Sequence, residues 1–281
     1  MNINFWGVRG SIPTPGPETA AVGGNTSCVE VRCGSTRIIL DAGSGIRKLG
    51  NQMMSEGLPI ETTLLLSHVH WDHIQGLPFF TPAYIPSTHL TIAGGPNGVM
   101  SLRETLVHQM TAPVFPVRLD ELGCRLDVHE MKPGEAFHVG PVRVLSTKGN
   151  HPGGVMVYRL ESGGRSVVYA TDVEHYSCVD QNLVNLARGA DVLIYDSMYT
   201  PEEYAGERGR SRVGWGHSTF AAGAALALAA GVSKLVLFHH DPAHDDAAVN
   251  EIERRAREVF PDVVAAREGQ GIELLPVAWA A

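Results

Sequence analysis

A run of apolar residues that ends in a cluster of histidines constrains this chain more than any other feature. Residues 64–66 are three leucines and predict a buried strand, and the pattern His-x-His-x-Asp-His follows almost at once. Because side chains alternate in direction along an extended backbone, His68 and His70 can point the same way. Imidazole nitrogens beside a carboxylate suit zinc or a similar transition ion. We therefore predict a metal-binding loop rather than an ordinary polar loop, with ligands His68, His70, Asp72 and His73.

The charge of the chain limits the partners that it can bind. Its 281 residues carry a formal net charge of −8, and the sequence pI is about 5.9. A general nucleic-acid coat protein or a membrane-surface binder would need a basic footprint, so we expect neither class. A small anionic substrate is compatible with this charge, because bound cations set the local field at a metal site.

The sequence predicts neither a membrane segment nor a disulfide framework. The first residues lack the basic and apolar regions of a signal peptide, and no apolar run reaches the length of a membrane span. The cysteines form no C-x-x-C pair, so we expect reduced thiols at Cys28, Cys33, Cys124 and Cys178. These features predict a cytoplasmic protein.

Alternation of strand and helix patterns predicts a layered α/β protein. No repeat, low-complexity tail or linker divides the chain, so we expect one domain over residues 1–281. Strands are predicted at residues 3–8, 28–33, 36–40, 62–66, 90–93, 124–128, 142–146, 155–160, 166–170, 191–195 and 234–238. Helices are predicted at 46–56, 101–109, 181–188, from an N-cap at Ser218 to Ala230, and at 246–260.

Three further residues repeat the pattern of an apolar strand followed by a metal-type side chain. His151 comes shortly after strand 142–146, Asp172 after strand 166–170 and His239 after strand 234–238. Any one of them alone would more often be a hydrogen-bonded loop residue. Together with the histidine cluster they predict a single metal centre.

The order His-x-His-x-Asp-His, His, Asp, His resembles the metallo-β-lactamase superfamily over essentially the whole chain. The resemblance implies a four-layer αββα sandwich with two metal ions at one edge of the sheets. It implies that His68, His70 and His151 hold the first ion, that Asp72, His73 and His239 hold the second, and that Asp172 bridges them. Zn²⁺ is expected and Mn²⁺ is the alternative. Such a pair of cations about 3.5–4 Å apart would share a hydroxide, oriented by Asp72 or Asp172.

Two motifs resemble the phosphodiesterase branch of that superfamily, which includes transfer-RNA 3′-processing enzymes. One is Gly24-Asn25-Thr26-Ser27, where the resemblance implies that Asn25 contacts the substrate. The other is Gly216-His217-Ser218-Thr219, where it implies that His217 protonates the leaving alkoxide. Asp196 would orient this histidine, and a carboxylate partner raises the pKa of an imidazole, as a general acid requires. The alternative is a structural hydrogen bond of His217.

The expected substrate is a small phosphodiester such as a cyclic nucleotide or cyclic phosphate. The interval between His151 and Asp172 is too short for the arm that grips transfer RNA in the resembling enzymes, and the acidic charge lacks an RNA footprint, so no large nucleic acid is expected. The segment 207–212 is predicted to be a mobile loop. Its arginines are candidate phosphate contacts, with a solvated turn as the alternative: Arg208, Arg210 and Arg212.

Several assignments remain open at this point. His240 is an alternative to His239 as the last ligand or a residue that supports it, and Asp41 is expected to support the histidine loop or to be a plain turn residue. The rival functions are hydrolysis of a lactone or thioester at the same metals, and binding or sensing without catalysis. The sequence leaves the oligomeric state, including a homo-oligomer, undecided.

Overall fold

Two β-sheets of seven strands each form the centre of the protein in a computed structural model, which describes residues 1–96, 98–207 and 209–277. The first sheet contains β1 (Asn2–Gly7), β2 (Cys28–Cys33), β3 (Thr36–Leu40), β4 (Ile60–Leu66), β5 (Thr88–Gly94), β6 (Arg125–Glu130) and β14 (Gly271–Glu273). The second contains β7 (Ala136–Val139), β8 (Val142–Gly149), β9 (Val155–Ser162), β10 (Arg165–Ala170), β11 (Val192–Asp196), β12 (Lys234–Phe238) and β13 (Val263–Ala265).

The direction of the strands brings several chain segments to one edge. The first sheet has the order β14-β1-β2-β3-β4-β5-β6, and β3 to β6 run parallel. The second has the order β13-β12-β11-β10-β9-β8-β7, and β10 to β13 run parallel. Because parallel strands end at the same edge of a sheet, the residues that follow β10, β11 and β12 are neighbours in space.

Helices cover the outer face of each sheet. They are α1 (Ile46–Glu56), α3 (Leu102–Gln109), α4 (Gln181–Ala187), α6 (Phe220–Ala230) and α7 (Asp246–Val259), and two short helices, α2 (Trp71–Ile74) and α5 (Pro201–Ala205), follow the ends of β4 and β11. The leucines of β4 show the layering: Leu65 belongs to the apolar core shared by both sheets, whereas Leu64 and Leu66 pack with α1 and α3. Since α4, α6 and α7 pack on the second sheet, the predicted αββα sandwich is confirmed. Within the described ranges, no helix is both long enough and apolar enough to cross a membrane.

Most predicted elements are present with bounds that differ by a few residues. The strands β2, β3 and β12 and the helix α1 have the predicted bounds. The prediction that Ser218 caps α6 is wrong, because Thr219 is the residue whose side chain accepts from the backbone N–H of Ala222. Ser218 is buried, and its hydroxyl contacts Tyr195 and His175 instead. The helix ends at Gly231 in the left-handed conformation, as predicted.

Candidate metal centre and active site

The seven predicted ligands meet at the edge where the strands of both sheets end. Their donor atoms form two groups, and within each group all the atoms lie within 4.8 Å of one another. The first group is His68, His70, His151 and Asp172, and the second is Asp72, His73, Asp172 and His239. Asp172 belongs to both groups, as expected for a residue that would bridge two ions.

The chemistry of the second group fits a cation. The Nδ1 of His73 donates to Asp41 at 2.8 Å, so in neutral His73 the Nε2 atom carries a lone pair. That lone pair faces carboxylate oxygens of Asp72 at 3.1 Å and Asp172 at 3.2 Å, and Nε2 of His239 at 3.3 Å. Acceptor atoms that converge in a buried space need a positive charge between them. Burial lowers the pKa of His73, but the three carboxylates outweigh it and raise the pKa well above its usual value, so that in the absence of a metal ion a proton on Nε2 would supply the positive charge.

The first group also has buried acceptor atoms that need a positive charge. The Nε2 atom of His68 is buried and has no hydrogen-bond partner among the described residues, while Nδ1 of His70 and Nε2 of His151 face each other at 3.1 Å. Burial and the neighbouring His73 lower the pKa of His68 well below its usual value, which keeps its ring neutral. Neutral imidazoles with unused lone pairs are the form that binds zinc-type ions.

Asp41 supports the histidine loop through four hydrogen bonds. It is fully buried directly after β3, where it accepts from the backbone N–H of Ser67 at 2.7 Å, the hydroxyl of Ser67 at 2.8 Å, the hydroxyl of Tyr169 at 2.7 Å and Nδ1 of His73 at 2.8 Å. The hydrogen bond between Asp41 and Nδ1 of His73 selects the tautomer of His73 and fixes its ring. The geometry matches the expected supporting role better than that of a plain turn aspartate.

The backbone is strained where these side chains are positioned. Asp41, Asp172 and His239 all have positive φ, at 62°, 53° and 61°. Non-glycine residues with positive φ cost energy and concentrate at functional sites. Gly10 packs against the ring of His239 so closely that a Cβ atom there would lie 2.5 Å from its Cε1. Only glycine fits at this position without displacing the histidine.

His217 lies beside both groups and is held by Asp196. The Nδ1 of His217 donates to Oδ2 of Asp196 at 2.9 Å and lies 3.8 Å from Oδ2 of Asp172. The other oxygen of Asp196 accepts from the backbone N–H groups of Met198 and Ser218. Burial lowers the pKa of His217, but Asp196 outweighs it and raises the pKa to about 9. The pair is therefore arranged to keep a proton donor at the centre.

Arg212 approaches the site across aromatic rings. Its guanidinium carbon lies 4.4 Å from the centre of the Trp215 ring and 5.8 Å from that of Tyr199, whose ring is 6.0 Å from the ring of His217. Arg210 is exposed and lies 5.8 Å from the Trp215 ring. Neither guanidinium forms a hydrogen bond or ion pair within the described part of the chain. The third predicted arginine, Arg208, lies outside the described residues.

Two predicted site residues have other partners. The side-chain amide of Asn25 donates to Glu268 at 2.9 Å and accepts from the hydroxyl of Ser44 at 3.0 Å, so it is engaged within the protein, and its expected contact with the substrate stays a prediction. His240 donates from Nε2 to the carbonyl of Ala266 at 3.0 Å and belongs to neither donor group. Burial lowers the pKa of His240 to about 3. Of the two adjacent histidines, the structure brings His239 to the centre.

Three contributors to the centre were not predicted. The backbone N–H of Ser11 donates to Oδ2 of Asp72 at 2.8 Å, Tyr169 donates to Asp41, and Glu174 binds backbone N–H groups near His217. Ser11 contributes its own backbone N–H, and Glu174 binds backbone N–H groups of a distant segment. Backbone groups leave no side-chain pattern in the sequence, so neither contact could be predicted. The tyrosine follows ordinary strand alternation and carries no separate signal.

Comparison with known proteins agrees with this geometry. The family model described as "Beta-lactamase superfamily domain" matches residues 36–240. Ribonuclease Z of Methanopyrus kandleri is 26% identical, covering 85% of this chain and 88% of the relative, and that of Methanosarcina acetivorans is 25% identical, covering 98% of each. The crystal structure of the metallo-beta-lactamase fold protein YhfI from Bacillus subtilis superposes with a TM-score of 0.73 at 21% identity, covering 97% of this chain and 98% of that one.

The chain belongs to the metallo-β-lactamase superfamily. The predicted resemblance to the branch that includes transfer-RNA 3′-processing enzymes is confirmed by these relatives. The prediction of a metal-dependent hydrolase is likewise confirmed.

Proposed function

We propose that this protein is a phosphodiesterase with two divalent metal ions that acts on a small phosphodiester. The observation that carries the proposal is the His217–Asp196 pair beside Asp172, because an alkoxide leaving group in phosphodiester cleavage needs a proton donor at this position. His68, His70 and His151 would hold one ion, Asp72, His73 and His239 the other, and Asp172 both. The nitrogen-rich donor sets favour Zn²⁺ over Mn²⁺.

The two ions, when bound, supply the positive charge that activates water and neutralises the phosphate oxygens. The protein's own residues orient the water and protonate the leaving group. Asp72, held by the N–H of Ser11, orients the attacking water, and His217 donates a proton from Nε2 to the leaving oxygen while Asp196 stabilises the imidazolium. Arg212 and Arg210 bind the phosphate or a neighbouring anionic group of the substrate. We further propose that residues 1–281 act as one hydrolase domain.

The length and the charge of this chain both support a small substrate. The relatives bear the name ribonuclease Z, which indicates cleavage of a phosphodiester in RNA. The alignment with the Methanosarcina acetivorans enzyme extends over 327 positions, whereas this chain has 281 residues, so that relative contains segments that this chain does not. Together with the net charge of −8, this supports a small phosphodiester over a folded RNA.

A substrate panel tests the proposal. Purified protein of measured metal content is assayed with 2′,3′- and 3′,5′-cyclic nucleotides, bis-p-nitrophenyl phosphate, a precursor transfer RNA, a lactone and a thioester. The expected result is turnover of at least one small phosphodiester, with no cleavage of the precursor RNA. Cleavage of the lactone or thioester alone would contradict the phosphodiesterase proposal, and cleavage of the RNA would contradict the proposed substrate size.

A further inference from the structure

Glu174 is a buried carboxylate that neither metal group uses. Glu174 is 2% exposed and lies two positions after Asp172. Oε1 accepts from the hydroxyl of Tyr204 at 2.8 Å and the backbone N–H of Gly214 at 2.6 Å, and Oε2 accepts from the N–H of Gly216 at 2.8 Å. An ionised carboxylate is expensive to bury unless its acceptor sites are filled, so its burial depends on these three donors being in place.

Gly216 transmits this contact to the metal centre. While its N–H is bound by Glu174, its carbonyl accepts from Nδ1 of His151 at 2.8 Å. The residue has φ +88°, and a Cβ atom would lie 2.3 Å from Nδ1 of His151, so only glycine allows this approach. The carbonyl selects the tautomer in which Nε2 of His151 carries the lone pair, and that atom faces His70. The backbone N–H of Glu174 also donates to Asn150, next to His151 in the chain.

Two of the three donors to Glu174, the backbone N–H groups of Gly214 and Gly216, belong to a segment that carries the proposed substrate contact Arg212. We call residues 209–217 the capping segment; it carries Arg212 and Trp215, and it ends at His217. We propose that Glu174 is a positioning residue that couples the order of the capping segment to the orientation of His151 for its metal ion. The proposal rests on the assignment of His151 as a ligand in the proposed function but not on the phosphodiester substrate.

The coupling is reciprocal, which gives a readout besides activity. If an ordered capping segment favours metal binding, then metal binding must order the capping segment by the same free energy. Trypsin cleaves after Arg210 and Arg212, so bound metal should slow cleavage there in the wild-type protein.

The substitution Glu174→Gln breaks the contact at its carboxylate. Whichever way the amide turns, its NH₂ group meets a backbone N–H, so at least one hydrogen bond is lost.

The experiment compares Glu174→Gln and Tyr204→Phe with Glu202→Gln. Tyr204→Phe removes one of the three donors and serves if Glu174→Gln does not fold. Glu202→Gln is the matched control, because Glu202 lies in α5 and pairs with Arg255 rather than with the capping segment. Zn²⁺ affinity is measured by chelator competition, and tryptic cleavage is followed with and without Zn²⁺.

For Glu174→Gln we expect one of the two ions to bind about 10–100-fold more weakly, as for other partners of a ligating histidine, and the metal protection from trypsin to disappear. Tyr204→Phe should show a smaller effect, and Glu202→Gln none. Wild-type Zn²⁺ affinity and protection in both Glu174→Gln and Tyr204→Phe would overturn the proposal. A wild-type protein that binds two ions and shows the coupling but cleaves no phosphodiester would contradict the proposed function and support this inference.

Discussion

The imidazole of His217 donates from Nδ1 to Oδ2 of Asp196 at 2.9 Å, which leaves Nε2 as the atom that can donate to a substrate. Asp196 is fixed in turn by two backbone N–H groups, so the orientation of the ring is determined by the protein rather than by the substrate. The Nδ1 atom of His217 also lies 3.8 Å from Oδ2 of Asp172, so the ring lies beside the proposed metal ions.

Replacing His217 with alanine should slow the cleavage of substrates that have a poor leaving group. A positioned general acid contributes about 10²–10⁴-fold, and an alkoxide leaving group needs that proton whereas p-nitrophenolate does not. We therefore expect a loss in this range on an alkyl phosphodiester and little loss on bis-p-nitrophenyl phosphate. Metal content is measured in parallel as the control. Equal losses on both substrates would contradict the general-acid role.

Replacing Asp196 with asparagine should change the pH dependence of the reaction. Burial lowers the pKa of His217, while the carboxylate of Asp196 outweighs this effect and raises the pKa to about 9. The general acid works in its protonated form, so activity should fall as the pH rises through that pKa. Without the carboxylate the pKa is lower, and the fall should begin at a lower pH. Profiles of kcat/KM against pH on an alkyl phosphodiester test this, and an unchanged alkaline limb would disprove the assignment.

The parts of the fold that the sequence predicted are those with a strong local pattern. Strands β2, β3 and β12 are short segments rich in apolar residues, and their predicted bounds agree with the structure. The short elements β7, β13, β14 and α5 were missed, because strands of three or four residues show too little alternation and a helix of five residues is little longer than one turn. Ser218 and Thr219 are both good capping residues, and only the burial of Ser218 against Tyr195 and His175 decides between them.

The residues of the candidate site also differ in whether a local sequence pattern reveals them. Residues such as His151 and Asp172 were predicted because each follows a strand and carries metal-binding chemistry itself. Glu174 was not, because it acts on backbone N–H groups that lie about 40 positions away, and backbone atoms have no sequence signature. Asn25 was predicted to face a substrate, but the amide is engaged by Glu268, a partner that becomes visible only when the chain ends are brought together.

The contact between Asp41 and His73 should determine metal affinity. Asp41→Asn keeps the size of the side chain but weakens the acceptor for Nδ1 of His73, and loss of such a partner typically costs about 10–100-fold in metal affinity. The control is Asp127→Asn, which removes the carboxylate from a surface pair with His89 at 2.7 Å. Chelator competition should show weaker Zn²⁺ binding in the first variant and wild-type binding in the second. Wild-type affinity in Asp41→Asn would contradict the supporting role.

Arg212 should contribute to substrate binding more than to the chemical step. Its guanidinium is held over Trp215 and Tyr199 without a carboxylate partner in the described chain, whereas arginines such as Arg254 on α7 pair with glutamates. A hydrogen bond to a charged group contributes about 1.5–3 kcal/mol, so Arg212→Ala should raise KM about tenfold or more while kcat changes little.

The dependence of KM on ionic strength distinguishes substrate binding by Arg212 from a role in packing. An arginine that binds an anionic substrate makes KM rise with salt, and that dependence should be weaker in Arg212→Ala than in the wild type. Arg212→Lys keeps the charge but loses the planar group that stacks on Trp215, so it should restore binding only in part. Arg254→Ala is the control and should leave KM unchanged. If Arg212→Ala and Arg254→Ala behave alike at every salt concentration, Arg212 does not contact the substrate, and the anionic group must be bound by Arg210 or by the metal ions.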